Sequence, residues 1–444
     1  MPWAGPVTPI APPVTPIAPP APLSARRAGV PVSATLAANE ILARRRLLGQ
    51  PVLPLAFGEA GIPVHPLLRA ELAAAACHGG YGPVAGLPAL RAAVAGYWTR
   101  RGLPTSPDAV VAGPGSKPLL FAVLLAIGTD VAVPRPSWVS YAAQARLAGL
   151  AACFVPAAPG EGGVCDPGAL EEAVLAAARA GRPIRSVVAT LPDNPTGTLA
   201  SPRAVRELCA VAERHDLIII SDEIYRDLVH DPATPFLSPA AVAPGRTVVT
   251  TALSKSLAVG GWRIGAARLP DGPLGQSITE RLRGVGSEIW SAPAVPVQHA
   301  AAVGFSEPPE LAQRVARSRS LHAAVARAIA GRCAAAGLSV PPPQAAFYVY
   351  PDFAPWREPL ARRGISTGEE LSRHLVERYG AGSLPASAFG EEPEALRLRL
   401  ATGLLYGDTD EQRQAALDSA DPLRLPWIAA ALTAFEDMLG DLSP

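Results

Sequence analysis

Lysine is nearly missing from this 444-residue chain: of 39 basic side chains only Lys117 and Lys255 are lysine, and the other 37 are arginine. Neither sign of charge is in excess. The formal net charge is +1, so no field is there to draw in nucleic acid or an anionic membrane. Long apolar runs are missing as well. The strongest, Leu119–Gly128, stops after ten residues, short of the ~18 that a membrane span needs. No basic stretch followed by an apolar one opens the sequence, so a secretory signal is not expected. Cysteine is sparse: Cys77, Cys153, Cys165, Cys209 and Cys333 are dispersed, with no Cys-x-x-Cys. An odd, scattered set reads as reduced thiols, and the expected compartment is the cytoplasm. Charged residues make up 17% and hydrophobic ones 49%, which excludes wholesale disorder and leaves enough apolar surface for a large core.

The scarcity of lysine gives the two survivors weight. A guanidinium stays protonated and cannot act as an amine nucleophile, whereas a lysine amine can. Codon bias accounts for the arginine excess equally well, so each lysine has to be judged by its surroundings.

Residues 1–23 stand apart. The heptad VTPIAPP is written twice, at Val7–Pro13 and Val14–Pro20. Proline at this density favours extended conformations that bury little, so a disordered tail is expected. Beyond it, short apolar strands alternate with helical stretches. Ala109–Gly113, Val131–Val133, Ser186–Leu191, Leu217–Ile220 and Val248–Leu253 are the expected strands. That alternation implies βαβ units and a parallel sheet covered on both faces. After about Gly304 the pattern changes to helices at 309–336, 369–379 and 427–439 around short strands at 346–350 and 396–400. This reads as a second, smaller α+β lobe.

The polar signals follow the apolar strands, where open α/β sheets bind ligands. Lys255 lies in Ser254-Lys255-Ser256, eight residues before Arg263. A lysine at a strand end beside hydroxyls and an arginine suits a phosphate-bearing aldehyde such as pyridoxal phosphate. The amine forms an imine, and Ser254 and Arg263 hold the phosphate. Asp222 ends the run Leu217–Ile220 and could pair with a protonated pyridine nitrogen. On its own it would be read as a helix cap. Tyr225, three residues on, could donate to the ring's phenolate oxygen. Asn194, in Asn-Pro-Thr-Gly, is by itself a turn signal; beside Asp222 and Lys255 it becomes a second such donor. Gly115-Ser116-Lys117 opens a helix directly after a strand, so Ser116 and the free N–H groups form a phosphate cradle. Lys117 is read there as a helix-start residue that binds the cofactor through its backbone N–H and not as the catalyst. Trp138 follows a strand and could lie on an aromatic ring.

With these motifs in this order, the chain from about Ser24 onward resembles the class I/II aminotransferases, pyridoxal-phosphate enzymes of fold type I. The resemblance implies an α/β fold. Its large domain has a mostly parallel, seven-stranded-type sheet covered by helices, with a smaller α+β domain beside it. The implied boundaries are a tail at 1–23, an N-terminal part of the small domain at 24–65, a large cofactor-binding domain at 66–304 and the rest of the small domain at 305–444. It implies pyridoxal 5′-phosphate as cofactor, an amino acid and a 2-oxo acid as substrates, and no metal. By resemblance Gly58 approaches the substrate carboxylate, and Tyr81 reaches the phosphate of a neighbouring subunit in a homodimer. Phe347-Tyr348 resembles the small-domain strand. Arg397, in Leu396-Arg397-Leu398-Arg399-Leu400, aligns with the arginine that clamps the substrate carboxylate. The family's Arg-x-Ser is Arg-x-Arg here, which makes Arg399 the alternative. Trp138 and Asn194 would also touch substrate. Arg135–Pro136 and Asn194–Pro195 are expected as cis bonds.

The implied reaction is transamination, with Lys255 as attachment point and proton carrier. Fold does not fix reaction type. Elimination, cyclisation or oxidation of an amino acid would use the same residues. A regulator built on an aminotransferase-like domain would need a DNA-binding module, for which 23 proline-rich residues are too few.

Overall fold

The structure is a computed structural model that describes residues 32–443; the repeat-bearing segment expected as a tail lies outside them. Seven strands form one sheet: Val110–Gly113 (β1), Asp130–Arg135 (β2), Ala152–Pro156 (β3), Ile184–Thr190 (β4), Ile218–Asp222 (β5), Thr247–Ala252 (β6) and Gly265–Arg268 (β7). Their order is β1-β7-β6-β5-β4-β2-β3. Pairing is parallel from β6 through β5, β4 and β2 to β3, while β7 runs antiparallel to β6 and to β1.

The continuous apolar strands arise because both faces are buried. Side chains alternate across the pleat, so neighbouring residues enter different cores. Val187 and Ile219 pack with Leu170, Val205 and Leu208 of the helices Pro167–Arg179 and Pro202–Arg214. Val188 and Ile220 pack on the other face with Val123 and Ile278 of the helices Ser116–Ile127 and Gly272–Ile289.

Strands β3 and β7 were not expected. The sequence of β7 is Gly-Ala-Ala-Arg, which has no β-branched or aromatic residue to signal a strand. Its small residues answer to crowding: a Cβ on Gly265 would lie 2.7 Å from the backbone nitrogen of Ser116 and 2.8 Å from the Thr251 carbonyl oxygen. The start of the helix Ser116–Ile127 rests directly on this strand.

A second, antiparallel sheet joins Tyr348–Val349 (β8), Leu384–Pro385 (β9) and Leu398–Ala401 (β10) in the order β8-β10-β9. The helices Pro309–Ala335, Gly368–Tyr379 and Pro426–Leu442 surround it. One apolar cluster runs from Leu53, Leu55 and Ile62 through Leu321, Phe347, Leu398 and Phe435. Arg135–Pro136 is cis, as expected. Asn194–Pro195 is not; the second cis bond is Leu191–Pro192, immediately after β4 ends at Thr190, where the chain turns out of the sheet. Among the described residues no helix is long and apolar enough to cross a membrane.

Candidate active site

A cavity of about 560 Å³ opens at the carboxyl ends of the parallel strands. Three strand ends build its floor. In register, Thr190 of β4 and Thr250 of β6 flank Asp222 at the end of β5. Asp222 is buried; Tyr141 Oη donates to its Oδ2 at 2.9 Å and Thr250 Oγ1 to its Oδ1 at 3.3 Å. Burial disfavours the charged form and pushes this carboxyl up to about 6, although the hydrogen bond from Tyr141 pulls the other way.

After β6 the chain makes one helical turn, Leu253–Ser256, that carries Lys255 into the cavity. The amine is partly buried, donates to the Gly58 carbonyl, and lies 5.9 Å from the Tyr225 ring and 6.0 Å from the Phe347 ring. Burial, and after it the nearby Arg399 guanidinium, lower its pKa to about 8. Ser254 lines the same wall.

The opposite wall begins at Gly115, whose φ of +96° precedes the helix start at Ser116. No side chain caps that start, so its first N–H groups remain available at the positive helix end. Arg263 adopts the left-handed conformation (φ +55°) and donates to the Gly260 carbonyl at 2.8 Å. A Cβ on Gly115 would stand 2.7 Å from Arg263 Nη2, so the glycine lets the guanidinium sit against this backbone without shifting.

Lys117 departs from the expectation. Its side chain, not only its backbone, lines the cavity, with Nζ 5.2 Å from the Trp138 ring centroid. Burial and then Arg263 lower its pKa. Trp138 stands edge-on to Tyr141, with centroids 5.3 Å apart.

Arg397 is corrected. It lies outside the cavity, 42% exposed, and pairs with Asp352 at 2.9 Å and Glu391 at 2.6 Å. Arg399 lines the cavity instead and is buried; it donates to Asn194 Oδ1 at 3.2 Å and to the Ala56 carbonyl. Residues two apart on a strand share a face but sit about 7 Å apart along it. The Arg-Leu-Arg-Leu alternation therefore shows that both arginines face away from the leucine core, not which of them reaches the cleft. Among the described residues Arg399 has no acidic partner, and its buried Nε has no hydrogen-bond acceptor.

Asn194 and Tyr225 are buried beside the cavity. With its oxygen turned to Arg399, the Asn194 amide has its NH₂ free to donate. Tyr81 is not brought in: it is 96% exposed. Sequence reasoning missed Tyr141, Tyr348, and Ser33 and Thr35 at the start of the helix Ala34–Leu47, all of which line the cavity. Serine before a helical stretch signals a cap and nothing about a cleft whose Lys255 lies more than 200 residues downstream in sequence. Among the described residues no group of three or more His, Cys, Asp or Glu could hold a metal.

Comparison with known proteins agrees with this geometry. A family model described as aminotransferase class I and II matches residues 57–415. An aspartate aminotransferase of Geobacillus stearothermophilus is 32% identical over 402 residues, which cover 88% of this chain and 97% of the relative. An aspartate/prephenate aminotransferase of Thermus thermophilus is 31% identical over 339 residues, covering 75% of this chain and 85% of the relative. Among solved structures, aspartate aminotransferase from Thermus thermophilus with maleate is 28% identical, with a TM-score of 0.76, over 89% of this chain and 98% of that one.

Proposed function

This chain belongs to the class I and II aminotransferase family and transfers an amino group between an amino acid and a 2-oxo acid; we propose that it does so on pyridoxal 5′-phosphate held at Lys255, with a dicarboxylic amino acid such as aspartate as donor. One observation carries the substrate reading. Lys117, Lys255, Arg263 and Arg399 all line one cavity, and none forms an ion pair among the described residues. Arg399 is buried, Lys117 and Lys255 are half-buried and Arg263 is exposed at the cavity, and cations gathered in this way without acidic partners call for anions. Arg263 suits a phosphate and Arg399 a carboxylate, which leaves Lys117 for a second carboxylate.

The residues fit the cofactor. Ser116, Ser254, Arg263 and the uncapped helix start would hold its phosphate, and the bare backbone at Gly115 leaves Arg263 room to do so. Asp222 would pair with the ring nitrogen; that cation would return the carboxyl, raised by burial, to its charged form. Tyr225 and Asn194 would donate to the ring oxygen, and Trp138 would lie against the ring. When bound, the cofactor supplies a conjugated ring that accepts the electron pair left on Cα. The chain's part is to orient and to move the proton. Arg399 fixes the substrate α-carboxylate through a planar fork of donors. Lys255, with a pKa near 8, has an appreciable free-base fraction close to neutrality and takes and returns the Cα proton.

The working unit we propose is a homodimer in which Tyr81 serves the partner's cavity; its nearly complete exposure leaves it free to do so. Residues 66–304 form the large domain in this reading, and 24–65 join 305–444 in the small one, supported by the apolar cluster that Leu53–Ile62 share with the C-terminal helices. The proposed compartment is the cytoplasm, in keeping with five free cysteines.

Steady-state transamination of aspartate and of alanine tests the substrate reading. Lys117→Met should raise KM for aspartate about tenfold or more, the loss of one charge-assisted hydrogen bond, and leave that for alanine within about twofold. Equal effects on both substrates would refute the dicarboxylic reading.

A further inference from the structure

Tyr348 entered the sequence reading only as part of a strand, yet it lines the cavity and touches two residues with proposed roles there. It begins β8, is buried, and lines the cavity. Three of its contacts involve residues with proposed roles. Its hydroxyl lies 2.6 Å from that of Tyr225, and the two rings meet edge to face at 5.5 Å and 83°. The Arg399 guanidinium carbon lies 5.0 Å from its ring centroid. On the far side its hydroxyl is so close to Gly58 that a Cβ there would come within 2.4 Å of it.

A tyrosine hydroxyl has one proton to donate and lone pairs with which to accept. If Tyr348 donates to Tyr225, the Tyr225 proton is left for an acceptor in the cavity, and the bond it makes there is strengthened because linked hydrogen bonds polarise one another. The ring face offers the negative side of its quadrupole to Arg399, a cation that among the described residues has no acceptor for its buried Nε and no carboxylate neighbour. One rigid side chain, fixed by β8, thus touches both the proposed donor to the cofactor and the proposed clamp on the substrate.

We propose that Tyr348 is a positioning residue whose hydroxyl directs the Tyr225 proton into the cavity and whose ring seats the Arg399 guanidinium. The proposal rests on the reading of the cavity as a pyridoxal-phosphate transaminase site, and it splits into two separable effects. Removing only the hydroxyl should disturb what Tyr225 does. Removing the ring should in addition disturb what Arg399 does.

The test compares Tyr348→Phe and Tyr348→Leu with the parent as holoenzymes. In Tyr348→Phe the midpoint of the pH titration of the bound cofactor's absorbance should rise by about 0.4–1 pH unit, the size of one neutral hydrogen bond. The rise follows because a weakened donor disfavours the more negative form of the chromophore. KM for aspartate should stay within about twofold in Tyr348→Phe, and rise roughly threefold or more in Tyr348→Leu, as loss of a cation–π contact implies. An unmoved midpoint in Tyr348→Phe overturns the role of the hydroxyl, and equal KM values in the two variants overturn that of the ring. If Tyr348→Leu does not fold, the Tyr348→Phe titration still decides the first. Borohydride reduction of the same holoenzymes keeps the proposal separate from its premise: a pyridoxyl group on Lys255 with an unmoved midpoint refutes only the proposal, and none on Lys255 refutes the reading beneath it.

Discussion

Replacing Arg399 by leucine, beside the same change at Arg397, separates two residues that share a strand face. Arg399 is buried, has no acidic partner among the described residues, and lines the cavity. A substrate carboxylate there would gain charge-assisted hydrogen bonds worth about 1.5–3 kcal/mol each. Losing even one should lower kcat/KM for aspartate roughly 10- to 150-fold. Arg397 is 42% exposed in its pairs with Asp352 and Glu391, and such surface pairs contribute about 0–1 kcal/mol to stability. Arg397→Leu should therefore leave kcat/KM within about twofold of the parent. Arg399 has a second effect. After burial, its positive charge is the largest influence that lowers the Lys255 pKa to about 8. Removing that charge raises the pKa of the amine once substrate has displaced it from the cofactor, so its free-base fraction at a given pH falls and the acid limb of kcat moves to higher pH. The assay is steady-state transamination of aspartate across pH 6–10, a span of about two units either side of that value. A loss in Arg397→Leu equal to that in Arg399→Leu would refute the assignment, as would an Arg399→Leu enzyme with unchanged kcat/KM and an unmoved acid limb.

Asp222→Asn should divide stability from function. Burial raises the folded-state pKa of Asp222 from 3.8 to about 6, so the folded apoprotein binds more protons than the unfolded chain across that window. This group's contribution to stability therefore falls as pH rises from 3.8 to about 6. At neutral pH the apo variant should melt no lower than the parent, while turnover is lost; a clearly lower apo Tm with turnover retained would contradict this. Subunit mixing tests the dimer. Lys255→Ala and Tyr81→Ala chains, each inactive alone, should regain part of the activity as mixed dimers if each cavity draws on both copies, and verified mixed dimers without recovery would refute it.

The parallel strands could be read from the sequence because burial on two faces leaves continuous apolar runs, as at Leu217–Ile220. β7 could not, because close packing against Ser116 and Thr251 leaves no room for a side chain at Gly265, and the Gly-Ala-Ala that opens the strand has no strand signature. Lys255 was legible through the scarcity of lysine and through its neighbours Ser254 and Arg263. Lys117 was legible as a position but not as a side chain, since a helix start does not tell which way an amine turns. Arg399 in β10 and Arg397 just before it show the limit of periodicity: alternation gives the face, and only the placement of β10 beside the cleft gives the residue. Tyr141, which donates to Asp222 from 81 positions upstream, and Tyr348, which meets Tyr225 across 123 positions, carry no local pattern that links them to those partners.

Every assigned role is arranged around the amine of Lys255, and only one other lysine exists in the chain to compete with it. Reduction of the holoenzyme with borohydride, followed by digestion and mass measurement, shows which amine carries the cofactor. The pyridoxyl group should be found on the peptide that contains Lys255 and not on the one that contains Lys117. A label on Lys117, or a fully active Lys255→Ala enzyme, would contradict the account.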